Sequence, residues 1–221
     1  MKKVFNILLS GMMLFACGTA NVFAEENDEE IKQETMTFDF EEFQFQSEDI
    51  YAEKSRTEYE KIGNKEIYTV YDRETNEITD VISVEIPEYS LDSINPNAHT
   101  AFFTRDKYIN GNGQNAVTLR FTACVSYYSN GSFRSFEAVR YTDVSIIAKA
   151  TDMYLSSNTS SAWSHTGSFP CSQLDFAYTV NIIVTGNVNA GLSVIFINAG
   201  FSQSSYYYKW INESGSFNLY S

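Results

Sequence analysis

His165 and Cys171, six residues apart, are the one pairing of an imidazole base with a thiol that this 221-residue sequence sets close together. A thiol becomes a nucleophile when a neighbouring imidazole takes its proton, so the pair would suit hydrolysis through a covalent intermediate. The competing reading joins Cys171 to Cys124. Of the three cysteines, Cys17 falls in the amino-terminal export segment described below, and the two that remain are expected to form one disulfide in an oxidising compartment. That bond would stabilise the fold by roughly 4 kcal/mol on a chain-entropy argument. It is the favoured expectation, because a catalytic Cys171 would leave Cys124 unpaired.

Carboxylates offer a second chemistry, since an acid and a base flanking a glycosidic bond can hydrolyse it. Residues 25–97, however, hold 22 Asp and Glu against 6 Lys and Arg, so carboxylate pairs arise there by abundance alone. Asp72, Glu74, Asn76 and Asp80 have a spacing like that of a calcium loop. Glu77 stands where such a loop needs glycine and Ser83 where it needs a bidentate glutamate, which leaves a solvated hairpin loop. The only histidines, His99 and His165, have no second ligand at metal spacing, and no G-x-S-x-G elbow, phosphate loop or dinucleotide glycine pattern occurs. No catalytic residue, metal or cofactor is therefore assigned.

Aromatic residues remain. Tyr206, Tyr207, Tyr208 and Trp210 put rings on both faces of one strand, and Trp163 sits in a polar stretch, so these five are the candidate binding residues. Exposed rings stack on sugars or anchor protein partners, although tyrosine also favours strands on its own account.

The elements that would carry these side chains are strands. Leu174, Phe176, Tyr178, Val180, Ile182 and Val184 recur at every second position, the period of a strand with one buried face. The apolar run Leu192 to Phe201 reads as its partner across a turn at 186–191. Val117 to Tyr127 alternates most cleanly, and Asn130-Gly131 marks a hairpin leading to Phe133–Tyr141, with Val144–Ala150 continuing it. A second hairpin joins Glu66–Tyr71 to Ile78–Ile86. In TFDFEEFQFQ the phase of the phenylalanines slips by one across Glu41-Glu42, which predicts a bulge or sharp bend. Thr151–Gln173 reads as a long polar loop, and Tyr206–Ile211 and Ser216–Tyr220 as two strands around Asn212–Gly215. The fold expected is all-β, an antiparallel β-sandwich of Ig-like or jelly-roll-like kind over 98–221, with an acidic, β-rich region at 36–97.

The first 24 residues read as a signal peptide: Lys2 and Lys3, an apolar core, then Val22-Phe23-Ala24. The chain is thus expected to be secreted, with an acidic, disordered leader over 25–35 and no transmembrane segment after processing. A minor alternative lipidates Cys17 and tethers the protein. Asn130, Asn158 and Asn212 lie in glycosylation sequons. The excess of acid disfavours nucleic acid and anionic membranes as partners.

Three functions fit these observations. The first is a non-catalytic binding module for an extracellular carbohydrate or protein. The second is a secreted hydrolase using carboxylates or the Cys171/His165 pair. The third is a membrane-inserting toxin whose 174–201 hairpin opens out.

Overall fold

The alternating segments pair into two antiparallel sheets packed face to face in an all-β sandwich. A computed structural model describes residues 34–87 and 97–220. One sheet, sheet A, contains β1 (Thr35–Asp39), β2 (Phe43–Tyr51), β9 (Met153–Ser164), β10 (Gln173–Val184) and β12 (Tyr207–Leu219), in the order β1-β2-β12-β10-β9. The two-residue β11 (Ser202–Gln203) pairs with the start of β12. The other, sheet B, runs β3 (Ser55–Ile62), β4 (Lys65–Asp72), β5 (Ile78–Glu85), β6 (Ala98–Gly111), β7 (Gln114–Asn130) and β8 (Phe133–Lys149), each strand paired with the next. Residues 36–97, set apart by their acidity, contribute to both: β2 pairs with β12 and β5 with β6. The expected signal peptide, Cys17 and the expected leader up to residue 33 lie outside the described residues, and Thr35 already opens β1.

Aromatic rings from the two inner faces interlock as the core. Phe103 of sheet B stacks on Phe217 of sheet A with centroids 4.1 Å apart, and Phe121 stacks on Phe176 at 5.0 Å. Phe43 meets Phe103 edge-on at 4.9 Å and Tyr127 at 5.0 Å. Each such ring, removed from water, contributes about 1.5–3 kcal/mol. The phase slip at Glu41-Glu42 is a tight reversal: β1 and β2 form a hairpin in which Phe38 faces Phe45, and Phe38, Phe40, Phe43 and Phe45 are all buried. Two edges lie against each other, where Thr142 Oγ1 of β8 donates to the Ser160 carbonyl of β9 at 3.0 Å. At the other end of sheet B, β3 is an edge strand whose middle, with Glu58 and Glu60, is exposed.

Three expected elements differ. Thr151–Gln173 is mostly strand, β9, whose polar residues suit an edge position open to solvent. The two strands expected at the end of the chain are one, β12 (Tyr207–Leu219), because Gly215 serves close packing and not a turn: a Cβ there would lie 2.4 Å from the Gln46 carbonyl oxygen and 2.7 Å from the Phe176 ring. The run after Gly191 is a helix, α1 (Ala190–Asn198), and not the second arm of a hairpin.

An unbroken apolar run has no period to separate helix from strand. Asn189 settles it locally, its side-chain oxygen accepting the Leu192 N–H at 2.9 Å as an N-cap. The helix then seats on the end of β6, where Gly111 leaves room: a Cβ would fall 2.0 Å from the Ile195 carbonyl oxygen. Asn189→Ala is expected to destabilise the fold by about 1 kcal/mol, read as a lower urea midpoint. An unchanged midpoint would show that packing alone holds α1.

Candidate functional site

The inner face of sheet A is committed to the core, so the outer face is where its remaining side chains act. Strand register sorts them. Asp175 on β10 lies opposite Trp163 on β9 and Ser216 on β12, and Ser216 lies opposite Gln46 on β2, making one row across the outer face. Six residues further along β10, Asn181 lies opposite Trp210 and Ser157. At about 3.3 Å per residue the two indole rows are about 20 Å apart. Two residues further still, Ile183 lies between Tyr154 and Tyr208. The rows between hold small polar or short side chains, among them Ser161, Ala177, Ser214, Thr159, Thr179 and Asn212.

Trp163 is 45% exposed and Trp210 53% exposed, and Tyr206 is exposed beside a half-buried Tyr208, their rings 6.0 Å apart. Tyr207 is the exception among the candidate residues. Alternation turns it inward, where it is 7% exposed, its hydroxyl 2.6 Å from Ser193 Oγ and its ring 5.6 Å from Phe196. The site thus brings together four of the five rings on one face.

A groove of about 400 Å³ opens beside Trp163, lined also by His165, Gln173, Asp175, Gln46 and Glu48. Its floor is shallow because β12 presents only Ser214, Gly215 and Ser216 there. Polar groups converge in it. His165 Nδ1 lies 2.8 Å from Asp175 Oδ2, Gln173 Nε2 donates to Asp175 Oδ1 at 3.0 Å, and Ser214 donates to Glu48. An indole face flanked by amide, hydroxyl and carboxylate groups can stack on an apolar ring face while bonding the hydroxyls at its rim.

The reactive pairing of His165 with Cys171 takes a different form. His165 is turned to Asp175 and Gln173, while Cys171 is fastened through its backbone to Phe136, by N–H to carbonyl bonds of 3.0 and 2.7 Å. The expected disulfide is absent too: Cys124 and Cys171 are both buried free thiols. Cys124 lies on β7 opposite Tyr141, whereas Cys171 bridges Phe136, which lies opposite Tyr127. Three residues along the strand and two strand spacings across put the cysteines on the order of 14 Å apart, beyond the roughly 7 Å a disulfide spans. With α1 in place of its second arm, the hairpin behind the membrane-inserting reading is a strand followed by a helix, and no described helix is long and apolar enough to cross a membrane.

The calcium-like loop is closed on itself. Asp72 Oδ1 accepts the backbone N–H of Glu74 at 2.9 Å and of Thr75 at 2.8 Å. Among the described residues no group of three or more His, Cys, Asp or Glu side chains could hold a metal ion.

One cluster escaped the sequence reading. Arg105 on β6 is completely buried between the sheets, with Nε donating to Asp80 at 2.8 Å, Nη2 to Asp49 at 2.8 and 2.9 Å, and Nη1 to Ser47 at 3.1 Å. Glu213 Oε2 lies 3.2 Å from Nη1, out of line for a hydrogen bond, and Glu213 Oε1 is 2.8 Å from Lys107 Nζ, which also pairs with Asp49. Two cations therefore face three carboxyl groups. Burial pushes the Glu213 carboxyl up to about 7 against the pull of Arg105, and its hydrogen bond with Asp49 adds to the rise. At Asp49 burial is outweighed by Arg105, Glu213 and Lys107, which hold that carboxyl well below the usual range. A proton on Glu213, shared towards Asp49, balances the charges. The only foretaste in the sequence is the alternation Phe103, Arg105, Lys107, Ile109, which puts two cations on an otherwise apolar face.

No known protein family, curated protein or solved structure matches this chain.

Proposed function

We propose that the protein is a non-catalytic extracellular binding module that recognises carbohydrate on the outer face of sheet A. The observation that carries this reading is Trp163, an exposed indole at the wall of a groove in which Asp175, Gln173, Gln46 and Ser216 present hydrogen-bonding groups. A sugar offers what such a groove accepts, an apolar ring face edged with hydroxyls. The hydrolase reading has less to stand on. The Nδ1 of His165 is turned to Asp175, and among the described residues no hydroxyl or thiol is hydrogen-bonded to its ring. The excess of acid and the predicted export agree with an extracellular role and argue against polyanionic targets.

Trp163→Ala is expected to weaken retention on insoluble polysaccharide or cell-wall preparations by more than about 1 kcal/mol, the mark of a residue central to an interface. Its melting temperature should stay near that of the unaltered protein, since the ring lies outside the core. Retention unchanged in a folded Trp163→Ala protein would sink the proposal.

A further inference from the structure

A second cavity, of about 570 Å³, opens at the opposite end of the same sheet, where β10 leaves for α1. Tyr154, Tyr206 and Tyr207 line it, with Ile183, Val188 and Gln203. Tyr154 and Tyr206 are both exposed, so their rings are available to a ligand and are not spent on packing. From the Trp163 row, centred on Asp175, to the Tyr154 row, centred on Ile183, is eight residues of β10, or about 26 Å.

The strip between the cavities has two properties that matter for a ligand. Its side chains are short, apart from Trp210, which adds a third exposed ring about 20 Å from the first. It also carries no positive charge of its own. Among the described residues of β1, β2, β9, β10 and β12, the outward positions hold no lysine or arginine, and Lys209 on β12 turns inward to donate to the Ala199 carbonyl at 2.7 Å. The carboxylates Asp39, Glu48 and Asp175 do face outward. A chain of uronate, sulfate or phosphate units would meet these carboxylates with no lysine or arginine on the outward strand positions to offset them, His165 being paired with Asp175.

We infer that the outer face of sheet A is one track that takes a single extended, uncharged glycan chain, held at both ends by the Trp163 groove and the Tyr154/Tyr206 cavity. This rests on the carbohydrate reading above and adds to it the form and charge class of the ligand. Ring stacking tolerates variation in the sugar, whereas the spacing of the two sites demands length. When one chain reaches both, the second contact is intramolecular and affinity rises without any new kind of contact.

The test is calorimetric titration of the whole secreted chain with N-acetylglucosamine oligomers and β-linked glucose oligomers of graded length, with galacturonate oligomers alongside. Short neutral oligomers are expected to bind weakly, two per protein. Oligomers long enough to reach both cavities should bind one per protein and at least about tenfold tighter, while galacturonate oligomers show no binding. Tyr206→Ala should return the long oligomer to the affinity of the short one and leave a single short-oligomer site, the one lost in Trp163→Ala. Long oligomers that bind no tighter than short ones, or still two per protein, would overturn the single track while leaving carbohydrate binding intact. Galacturonate binding equal to neutral binding would overturn the charge class. No binding of any oligomer, together with no retention on polysaccharide, would overturn the carbohydrate reading and the track with it.

Discussion

Arg105→Met should lower the stability of the folded chain by about 3–5 kcal/mol, the cost typical of removing one partner from a buried ion cluster. The substitution keeps a long side chain in place, so the loss is electrostatic. Asp80 would stay buried with its Nε–H donor gone, and Asp49 and Glu213 would keep Lys107 as the one cation bonded to them. Urea unfolding of the variant reads the effect directly. The exposed ion pair of Lys61 with Glu41 is the control, and Lys61→Ala should leave the urea midpoint where it was. Equal midpoints for Arg105→Met and the unaltered protein would mean that the buried charges contribute nothing net.

The same cluster is expected to make the fold more stable in mild acid than above neutrality. Glu213 has its carboxyl raised by burial from an ordinary 4.5 to about 7 when folded. Between those two values the folded chain keeps a proton that the unfolded chain has released, so stability falls as pH rises through this window. The contribution is complete below the unfolded value and gone above pH 7, with a ceiling of about 3 kcal/mol at about 1.4 kcal/mol per pH unit. Asp49 works in the opposite sense. Its carboxyl is lowered on folding, so its contribution is present above the ordinary aspartate value and drains away as pH falls below it. Stability should therefore peak between about pH 4 and 5. Urea midpoints at pH 5 and pH 8 check this, with the higher value expected at pH 5. Glu213→Gln, which keeps the shape without the titration, should flatten the difference. A midpoint that climbs from pH 5 to pH 8 would show that the proton is not held on folding.

Local pattern foretold the parts of this fold whose causes are local. Val117 to Tyr127 alternates because one face of β7 is core, and the hairpin foretold by Asn130-Gly131 turns one residue later, at Gly131-Ser132, with Gly131 at φ 62° and Asn130 still paired with Phe133. The hairpin from Glu66 to Ile86 is legible for the same reasons. Where distant contacts decide, pattern was silent or misleading. The run from Val194 to Ile197 is apolar at every position, and it is helical because Asn189 caps α1 and Gly111, some eighty positions earlier in the chain, clears the space it needs. The stretch 153–164 has too little apolar periodicity to read as a strand, since it borders solvent on its outer face and only β8 across its edge. Gly215 looks like a turn residue until the ring of Phe176 is seen pressing on it.

The candidate site divides along the same line. Trp210 and Tyr206 were recognisable as rings a strand would display and Trp163 as a ring in a polar stretch that reads as a loop, while the assignment of Tyr207 to the same surface failed on alternation alone. The polar floor of the groove could not be foreseen. It needs β2, β9, β10 and β12 side by side, an order that crosses the length of the chain. The Arg105 cluster was equally hidden, because its members come from β2, β5, β6 and β12.

A sheet that does not close on itself offers its rim as a template for another molecule's strand, which is how soluble β proteins come to form fibrils. Here one rim of each sheet is shielded, β8 and β9 lying against each other, and β1 is only five residues long. That leaves β3, whose exposed middle carries Glu58, Glu60 and Lys61, with Arg56 bonded to Glu58. Charged side chains at those positions would have to be stripped of water before a second copy could dock edge to edge. The charge of β3 thus disfavours edge-to-edge self-assembly at high local concentration, and β3 belongs to the sheet opposite the one proposed to carry a glycan.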